Sequence, residues 1–474
     1  MAEPRVLILG GGPAGVGAAR ELARRKLGRA ILLEAGAHYG GNAGSFEYGG
    51  QWLDYGSHRL HPATDAAIFA DIRALLGADL KDRPRHGRIR LLGKWIHFPL
   101  KPHDLLLRLD KRFALGTLRD MVAKKLPGRA SAGDTFEAVI RANLGSTIAD
   151  EFYLPYAVKL WGRDPKELSG VQARKRVAAG SFGKLVRKVL NAVPGFKAPG
   201  AGRFFYPVRG FGQISEAYAA DAQRLGADMR LGWRMTRIEA PASESAPWRV
   251  HAEGTGRSEV LEADYLWSTI PVTALARAMA QGVPTDVLDA AARVTYRSMI
   301  LIYVQLPVEQ FTEYDAHYFP GATTRITRLS EPKNYSDLGR PKGTTILCAE
   351  LPCALGDAVW SMDDAALGRL LAEDLAGCGL PLPAAPIATF TRRLPAAYPI
   401  YLTGYEEPLG RLEQWVESVP RLLSYGRQGL FQHDNTHHAL AMAYGAVACM
   451  RSGRFDFAHW SELRKLYAQH VVED

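Results

Sequence analysis

Cysteine is scarce and unpatterned. Cys348, Cys353, Cys378 and Cys449 form no CxxC pair and have no metal-ligand spacing with histidine, which argues against a disulfide framework and an ordinary zinc site and leaves buried thiols as the expectation. Long apolar runs are missing too: uncharged stretches such as Val6 to Ala19 and Ala439 to Met450 are too short to cross a bilayer, so no transmembrane helix is expected. The N-terminus carries Glu3 and Arg5 ahead of an apolar strand, with no basic n-region or small-residue cleavage site, and a cytoplasmic protein is expected. There is no GxSxG elbow or Walker loop to support acyl transfer or NTP hydrolysis, and no internal repeat or low-complexity tail.

What is present is a folded chain of 474 residues, 47% hydrophobic and 23% charged. That length allows about three domain-sized units. The net charge of +10 is unevenly spread. Residues 81 to 200 hold 25 basic and 10 acidic side chains, a net of +15, and the remainder sums to −5. A basic segment inside an otherwise slightly acidic chain predicts an anionic partner at one face. No nucleic-acid motif accompanies the charge, so no nucleic acid is expected.

Val6-Leu7-Ile8-Leu9 ends in Gly10 as a buried parallel strand does, Ala14 to Lys26 has helical spacing, and Ala30 to Leu33 closes on Glu34 as a second strand. Between the first strand and the helix, Gly10-Gly11-Gly12-Pro13-Ala14-Gly15 fits GxGxxG, with Glu34 following 24 residues after Gly10. Gly10 makes the tight turn, and Gly12 lets backbone approach a pyrophosphate at the helix N-terminus. Gly15 lets helix and strand pack closely, and Glu34 accepts from ribose hydroxyls. This context, rather than the glycines alone, predicts a bound dinucleotide. Leu105 to Leu126 and Phe136 to Leu144 carry helical spacing with Lys and Arg between the apolar positions, and strands return from Met229 to Leu351.

Gly40-Gly41-Asn42, just past Glu34, makes the chain resemble the large FAD family that contains amine oxidases, protoporphyrinogen oxidase, phytoene desaturases and UDP-galactopyranose mutase. The resemblance continues in Asp54-Tyr55-Gly56-Ser57-His58-Arg59-Leu60-His61, similar to the mutase segment that sets a histidine against the isoalloxazine ring. It extends through Lys94 to Leu100 and through Lys159-Leu160-Trp161-Gly162-Arg163-Asp164-Pro165-Lys166-Glu167-Leu168 with Arg174 and Arg176, which resembles the lining of the sugar-nucleotide pocket. Arg325 to Tyr335, with Arg328, Glu331 and Lys333, resembles its substrate-side strand. Gly426 to Phe431 and Asn435 to Ala439 resemble the family's closing FAD motif. His437 stands where that motif usually has aspartate, and Ser57 where the mutase has proline. Phe204 to Gln213 is nearer the protoporphyrinogen-oxidase branch.

The resemblance implies an α/β fold: a Rossmann-like FAD-binding domain with a helical insertion and an antiparallel-sheet substrate domain. Its parts are expected at 1–80, 204–270 and 411–474 for the FAD-binding domain, 81–203 for the basic insertion and 271–410 for the substrate domain. The implied cofactor is FAD, held by Gly10, Gly12, Pro13, Ala14, Gly15, Glu34, Ala35, Gly41, Asn42, Gly56, Ser57, His58, Met235, Gly426, Arg427, Asn435 and Thr436. His58 and Arg325 are the candidate catalytic residues. Tyr156, Trp161, Arg174, Arg176, Arg325, Tyr398 and Tyr401 are the candidate substrate contacts, since arginines fork onto phosphate oxygens and aromatics stack on rings. A core histidine with a satisfied hydrogen bond is the plainer account of His58, and packing residues the plainer account of any single aromatic. His433, His437 and His438 include an i, i+4 pair but no completing carboxylate or cysteine, and no metal is expected.

The leading functional expectation is an FAD-dependent oxidoreductase passing hydride between flavin N5 and an anionic or amphipathic small molecule, a sugar nucleotide or an isoprenoid or lipid-like compound. The alternatives are a UDP-galactopyranose mutase-like isomerase and a non-catalytic FAD-bound binding protein. The basic, amphipathic Leu105 to Leu126 adds a second expectation, peripheral contact with the inner face of a membrane.

Overall fold

Val6, Leu7, Ile8 and Leu9 are almost completely shielded from solvent, and the strand they form, Arg5–Leu9, lies at the centre of a five-stranded parallel sheet. The computed structural model describes residues 3–98, 111–123, 133–176, 202–254, 256–279, 282–336 and 341–472. Strand Arg29–Glu34 pairs with one side of Arg5–Leu9 and is followed outward by Asp228–Leu231. On the other side lie Tyr265–Ser268 and then Leu422–Ser424. The strand order therefore turns at Arg5–Leu9, and ligands of such sheets bind outside the carboxyl ends of the strands at that switch point. Helix Pro13–Arg25 covers one face of the sheet and packs against helices Gln213–Arg224 and Thr436–Ala448. Gly17 makes the last contact close, because a Cβ there would stand 2.9 Å from Leu440.

A second sheet of seven strands is mostly antiparallel, in the order Ala388–Pro399, Tyr296–Leu306, Thr345–Cys353, Arg328–Ser330, Ala316–Tyr318, Gly87–Leu91, Lys94–Phe98. Thr345–Cys353 is buried throughout. Alternation along Tyr296–Leu306 sends Ile300, Ile302 and Val304 toward helix Asp364–Gly377 and Met299, Leu301 and Tyr303 toward Phe46 and Leu53. The α/β architecture with a parallel sheet and a separate antiparallel sheet is thus the one expected.

Residues 81–203, expected as a helical insertion, are more mixed. Helices Lys111–Ala123, Phe136–Leu144, Leu154–Trp161 and Gly170–Arg176 are present, but Gly87–Leu91 and Lys94–Phe98 form a hairpin that extends the seven-stranded sheet. The reason is a period of two: Gly87, Ile89 and Leu91 face inward, and Arg88 and Arg90 lie between them. The parts of the expected Leu105 to Leu126 helix before 111 and after 123 lie outside the described residues. Among the described residues no helix is long and apolar enough to cross a membrane.

Candidate functional site

The carboxyl end of Arg5–Leu9 opens into a cleft with about 1510 Å3 of empty volume, part of it open to solvent. Its inner end is built from glycines with different tasks. Gly10 turns the chain at φ +100°, and Thr269 Oγ1, 2.5 Å from where its Cβ would be, closes that side. Gly15 has no room for a side chain, since a Cβ would stand 1.9 Å from the Gly10 carbonyl oxygen. Gly12 is the opposite case. Its φ of −69° and ψ of 176° suit any residue, and a Cβ would meet nothing within 4 Å. The space beside Gly12, at the N-terminus of helix Pro13–Arg25, belongs to the cleft rather than to the fold. The Glu34 carboxylate accepts from Gly11 N–H (2.7 Å) and Gly36 N–H (2.6 Å). Gly40 N–H donates to the Gly11 carbonyl (2.8 Å), pressing the second glycine pair onto the first.

A second helix, Thr436–Ala448, brings its N-terminal residues Asn435 and Thr436 to the same cleft. Two helix N-termini on one cavity favour negative charge between them. Beside them Arg427 is half-buried: Nη1 donates to the Asp434 carbonyl (3.1 Å) and Nη2 to the Ala397 carbonyl (2.9 Å). Arg427 Nε and Gln428 Oε1 are buried atoms with no hydrogen-bond partner among the described residues. Buried orphan groups in a cavity wall are what a bound polar ligand would satisfy. With the open cradle at Gly12, they fit a flavin nucleotide lying along the cleft.

His58 lines the cleft, stacked on Phe211 at 5.4 Å between ring centres. Its Nε2 faces the Tyr55 carbonyl at 2.9 Å and must donate to it, so the neutral ring keeps its acceptor lone pair on Nδ1. Burial lowers the His58 pKa, opposed by the nearby Asp54 carboxylate. Asp54 accepts from Ser45 Oγ (2.6 Å), Tyr206 O–H (2.8 Å) and Phe211 N–H (2.8 Å), and burial raises its pKa.

The other wall is arginine-rich. Arg59, Arg85, Arg176, Arg203, Arg328 and Arg427 line the cleft against two carboxylates, Glu34 and Asp434. Arg59 pairs with Asp315 at 3.1 Å between the rings of Phe204 and Tyr335. Arg328 forks onto Glu350 with two bonds of 2.9 Å, and Glu350 also accepts from Ser57 N–H (2.9 Å). Arg203 pairs with Asp82. Arg176 lies over Trp161 and Tyr398 and has no carboxylate partner among the described residues.

Of the residues expected from sequence, Gly10, Gly12, Pro13, Ala14, Glu34, Gly41, Asn42, Ser57, His58, Arg427, Asn435 and Thr436 line the cleft, with Arg176 and Tyr398 toward its arginine wall. Ala35, Gly56, Met235 and Gly426 are not among the lining residues. Gly426 approaches Ala14, Gly56 approaches Glu350, and Met235 is partly buried against the apolar cluster that contains Leu33, Trp248 and Val250. Gly15 acts through packing, as above. Arg325, expected at the reacting centre and on substrate, is instead held outside the cleft: its Nε donates to Asp374 (3.0 Å) and Nη2 to Glu373 (3.2 Å) on helix Asp364–Gly377. Arg174, expected on substrate, is half-exposed and paired with Asp134. Trp161, Tyr156 and Tyr401 pack in apolar clusters, and Tyr401 O–H donates to the Phe431 carbonyl (2.9 Å). Arg59, Arg85, Arg203, Gln428 and Thr269 were not singled out as site residues, and Arg328 was noted only as part of the Arg325 to Tyr335 segment.

Among the histidines, His438 and His470 approach Asp434, with the three ligand atoms within 4.8 Å of one another. These atoms are already hydrogen-bonded: His470 Nδ1 to Asp434 (3.0 Å), and His438 Nδ1 from Asn435 N–H (3.2 Å). Lys175 Nζ binds the carbonyls of Ala468 and His470, straddling the C-terminal turn that brings Val472 to the cleft.

A switch-point glycine turn, an acid closing the second strand and two helix N-termini on one cleft define a nucleotide-cofactor site of a doubly wound α/β protein. The model of the family described as flavin containing amine oxidoreductase matches residues 13–431, and the chain belongs to that family. The fold is similar to that of reduced UDP-galactopyranose mutase, with 22% identity, a TM-score of 0.77, and coverage of 94% of this chain and 93% of that one. It is also similar to a protoporphyrinogen oxidase candidate from Exiguobacterium sp. 255-15 (20% identity, TM-score 0.71, 94% and 98% covered). Cyclohexylamine oxidase from Brevibacterium oxydans IH-35A shares the fold as well (17%, 0.66, 98% and 100%).

Proposed function

We propose that the chain is an FAD-dependent oxidoreductase whose substrate is an anion, such as a sugar nucleotide or an isoprenoid diphosphate. The observation that carries this reading is the arginine wall, in which Arg176 has no carboxylate partner among the described residues. A protonated amine, the substrate class in the family's name, would meet that wall with like charge, and a phosphate or carboxylate would meet forked donors.

Gly12 and the N-terminus of Pro13–Arg25 would hold the pyrophosphate, Glu34 the ribose hydroxyls, and Asn435, Thr436, Arg427 and Gln428 the remainder. Bound there, FAD supplies a two-electron acceptor. The protein's own part is orientation, charge and exclusion of water. His58 offers Nδ1 as a hydrogen-bond acceptor. Its burial makes it a weak base, suited to fixing an orientation rather than storing a proton. Arg176 and Tyr398 would set the position of the anionic group.

A mutase-like isomerase is the second reading. It is favoured by the lining itself, which among the described residues holds no carboxylate beyond Glu34 and Asp434 and no lysine to take up a proton from an oxidised carbon. The test is anaerobic mixing of the flavin-loaded protein with sugar nucleotides, isoprenoid diphosphates and amines while following flavin absorbance. In parallel, UDP-galactofuranose is chromatographed after incubation with the dithionite-reduced and the oxidised protein. Bleaching by an anionic donor and not by amines supports the oxidoreductase. Conversion of the furanose only in the reduced sample, with no net flavin redox change, replaces it with the isomerase. Neither response, with flavin bound, favours a binding protein.

A further inference from the structure

We propose that the outer face of helix Lys111–Ala123 is a docking surface for an anionic lipid bilayer. Among the described residues the helix is fastened to the protein by one side. Phe113, Thr117 and Asp120 are buried, and Asp120 Oδ2 accepts from Thr147 N–H (2.6 Å) on the neighbouring turn. At 3.6 residues per turn the opposite side presents Leu115, Leu118 and Val122 within an arc of roughly 60°. These side chains are 69%, 49% and 61% exposed. Large apolar side chains gathered on one exposed helical face mark an interaction site rather than an ordinary surface.

The chemistry beside them selects the partner. The same rotation puts Lys111 within the apolar arc at the first turn of the helix and Arg119 about 40° beyond its edge, both exposed, and no acidic residue falls on that face among the described residues. The segment that contains the helix, residues 81 to 200, carries a net charge of +15. A convex face with aliphatic tips at its centre and cations beside them suits the boundary of a bilayer, where apolar tips enter among the acyl chains and long basic side chains reach anionic headgroups. With no described helix able to span a membrane, the contact would be peripheral. It is independent of the reading of the cleft.

The test is co-sedimentation of the full-length, flavin-loaded protein with sucrose-filled vesicles of pure phosphatidylcholine or of phosphatidylcholine with one part in three phosphatidylglycerol. The variants are Leu115→Gln/Leu118→Gln/Val122→Gln and Lys111→Glu/Arg119→Glu, each checked for unchanged flavin content and circular dichroism. The wild type should bind the anionic vesicles, bind pure phosphatidylcholine much more weakly, and dissociate as salt is raised. Each variant should lower the apparent partition coefficient by at least about ten-fold. The proposal is overturned if the wild type binds neither vesicle at low salt, or if the triple variant binds as well as the wild type. It is also overturned if light scattering shows a wild-type dimer that the triple variant loses, which would assign the face to a second copy of the chain.

Discussion

Gly12 and Gly15 stand three positions apart in one fingerprint, yet replacing them should damage different things. At Gly12 the backbone is ordinary and a Cβ would meet nothing within 4 Å. Gly12→Val should leave the flavin-free protein within about 1 kcal/mol of wild type, because the lost backbone freedom of the unfolded chain offsets a poorer helix cap. Its methyl groups would, however, fill the space beside the helix N-terminus. Excluding an anion from two charge-assisted backbone bonds of about 2 kcal/mol each removes on the order of 4 kcal/mol, roughly a thousand-fold in flavin affinity. At Gly15 the added Cβ would stand 1.9 Å from the Gly10 carbonyl oxygen, and backbone must move. Gly15→Ala should therefore destabilise even the flavin-free protein by roughly 3 kcal/mol. The assay pairs urea unfolding of the flavin-free proteins, which removes the contribution of bound ligand, with the flavin-to-protein ratio after reconstitution. A Gly12→Val protein that keeps stoichiometric flavin, or that unfolds as early as Gly15→Ala, would refute this assignment of the two glycines.

Three further outcomes are expected. Arg176→Ala should raise KM for an anionic substrate by about 10- to 100-fold at unchanged flavin content, with Arg176→Lys recovering part of the loss in steady-state kinetics. Glu350→Ala strips the buried Arg328 guanidinium of its partner and Ser57 N–H of its acceptor; it should cost about 3–5 kcal/mol in chemical denaturation, much of it restored when Arg328→Met and Glu350→Leu are combined. Burial lowers the pKa of His317 from 6.5 to about 3 and that of His437 to about 4, so below pH 6.5 the unfolded chain takes up protons that the folded one refuses, and stability falls as the pH falls. Each should account for about 2 kcal/mol between pH 7 and pH 5, and His317→Gln should remove its share of that slope in urea midpoints measured at the two pH values.

The cofactor end of the cleft was legible in the sequence because its grammar is local: a strand, a glycine turn, a helix and an acid fall within some 30 residues, and each glycine has a reason that spacing exposes. The arginine wall was less so. Arg325 and Arg328 sit in one segment, and which of them faces the cleft depends on partners far along the chain, Asp374 for the first and Glu350 for the second. Arg59 sits inside the recognised His58 segment, but only its burial between Phe204 and Tyr335 and its pairing with Asp315 mark it as structural and cleft-lining at once. The hairpin at Gly87–Leu91 and Lys94–Phe98 was half legible: Lys94 to Leu100 resembles a strand of the mutase, whereas Gly87–Leu91 fell inside the expected helical insertion, although the alternation of Ile89 and Leu91 with Arg88 and Arg90 has the period of a strand.

The most direct test is a titration of the flavin-loaded protein with inorganic pyrophosphate and, separately, with a primary amine, read by flavin fluorescence in the wild type and in Arg176→Ala. A redox site built for anions predicts saturable, salt-sensitive binding of pyrophosphate that weakens at least about ten-fold in the variant, and no response to the amine. Binding of the amine with indifference to pyrophosphate would contradict it, and would return the chain to the chemistry of its family's name.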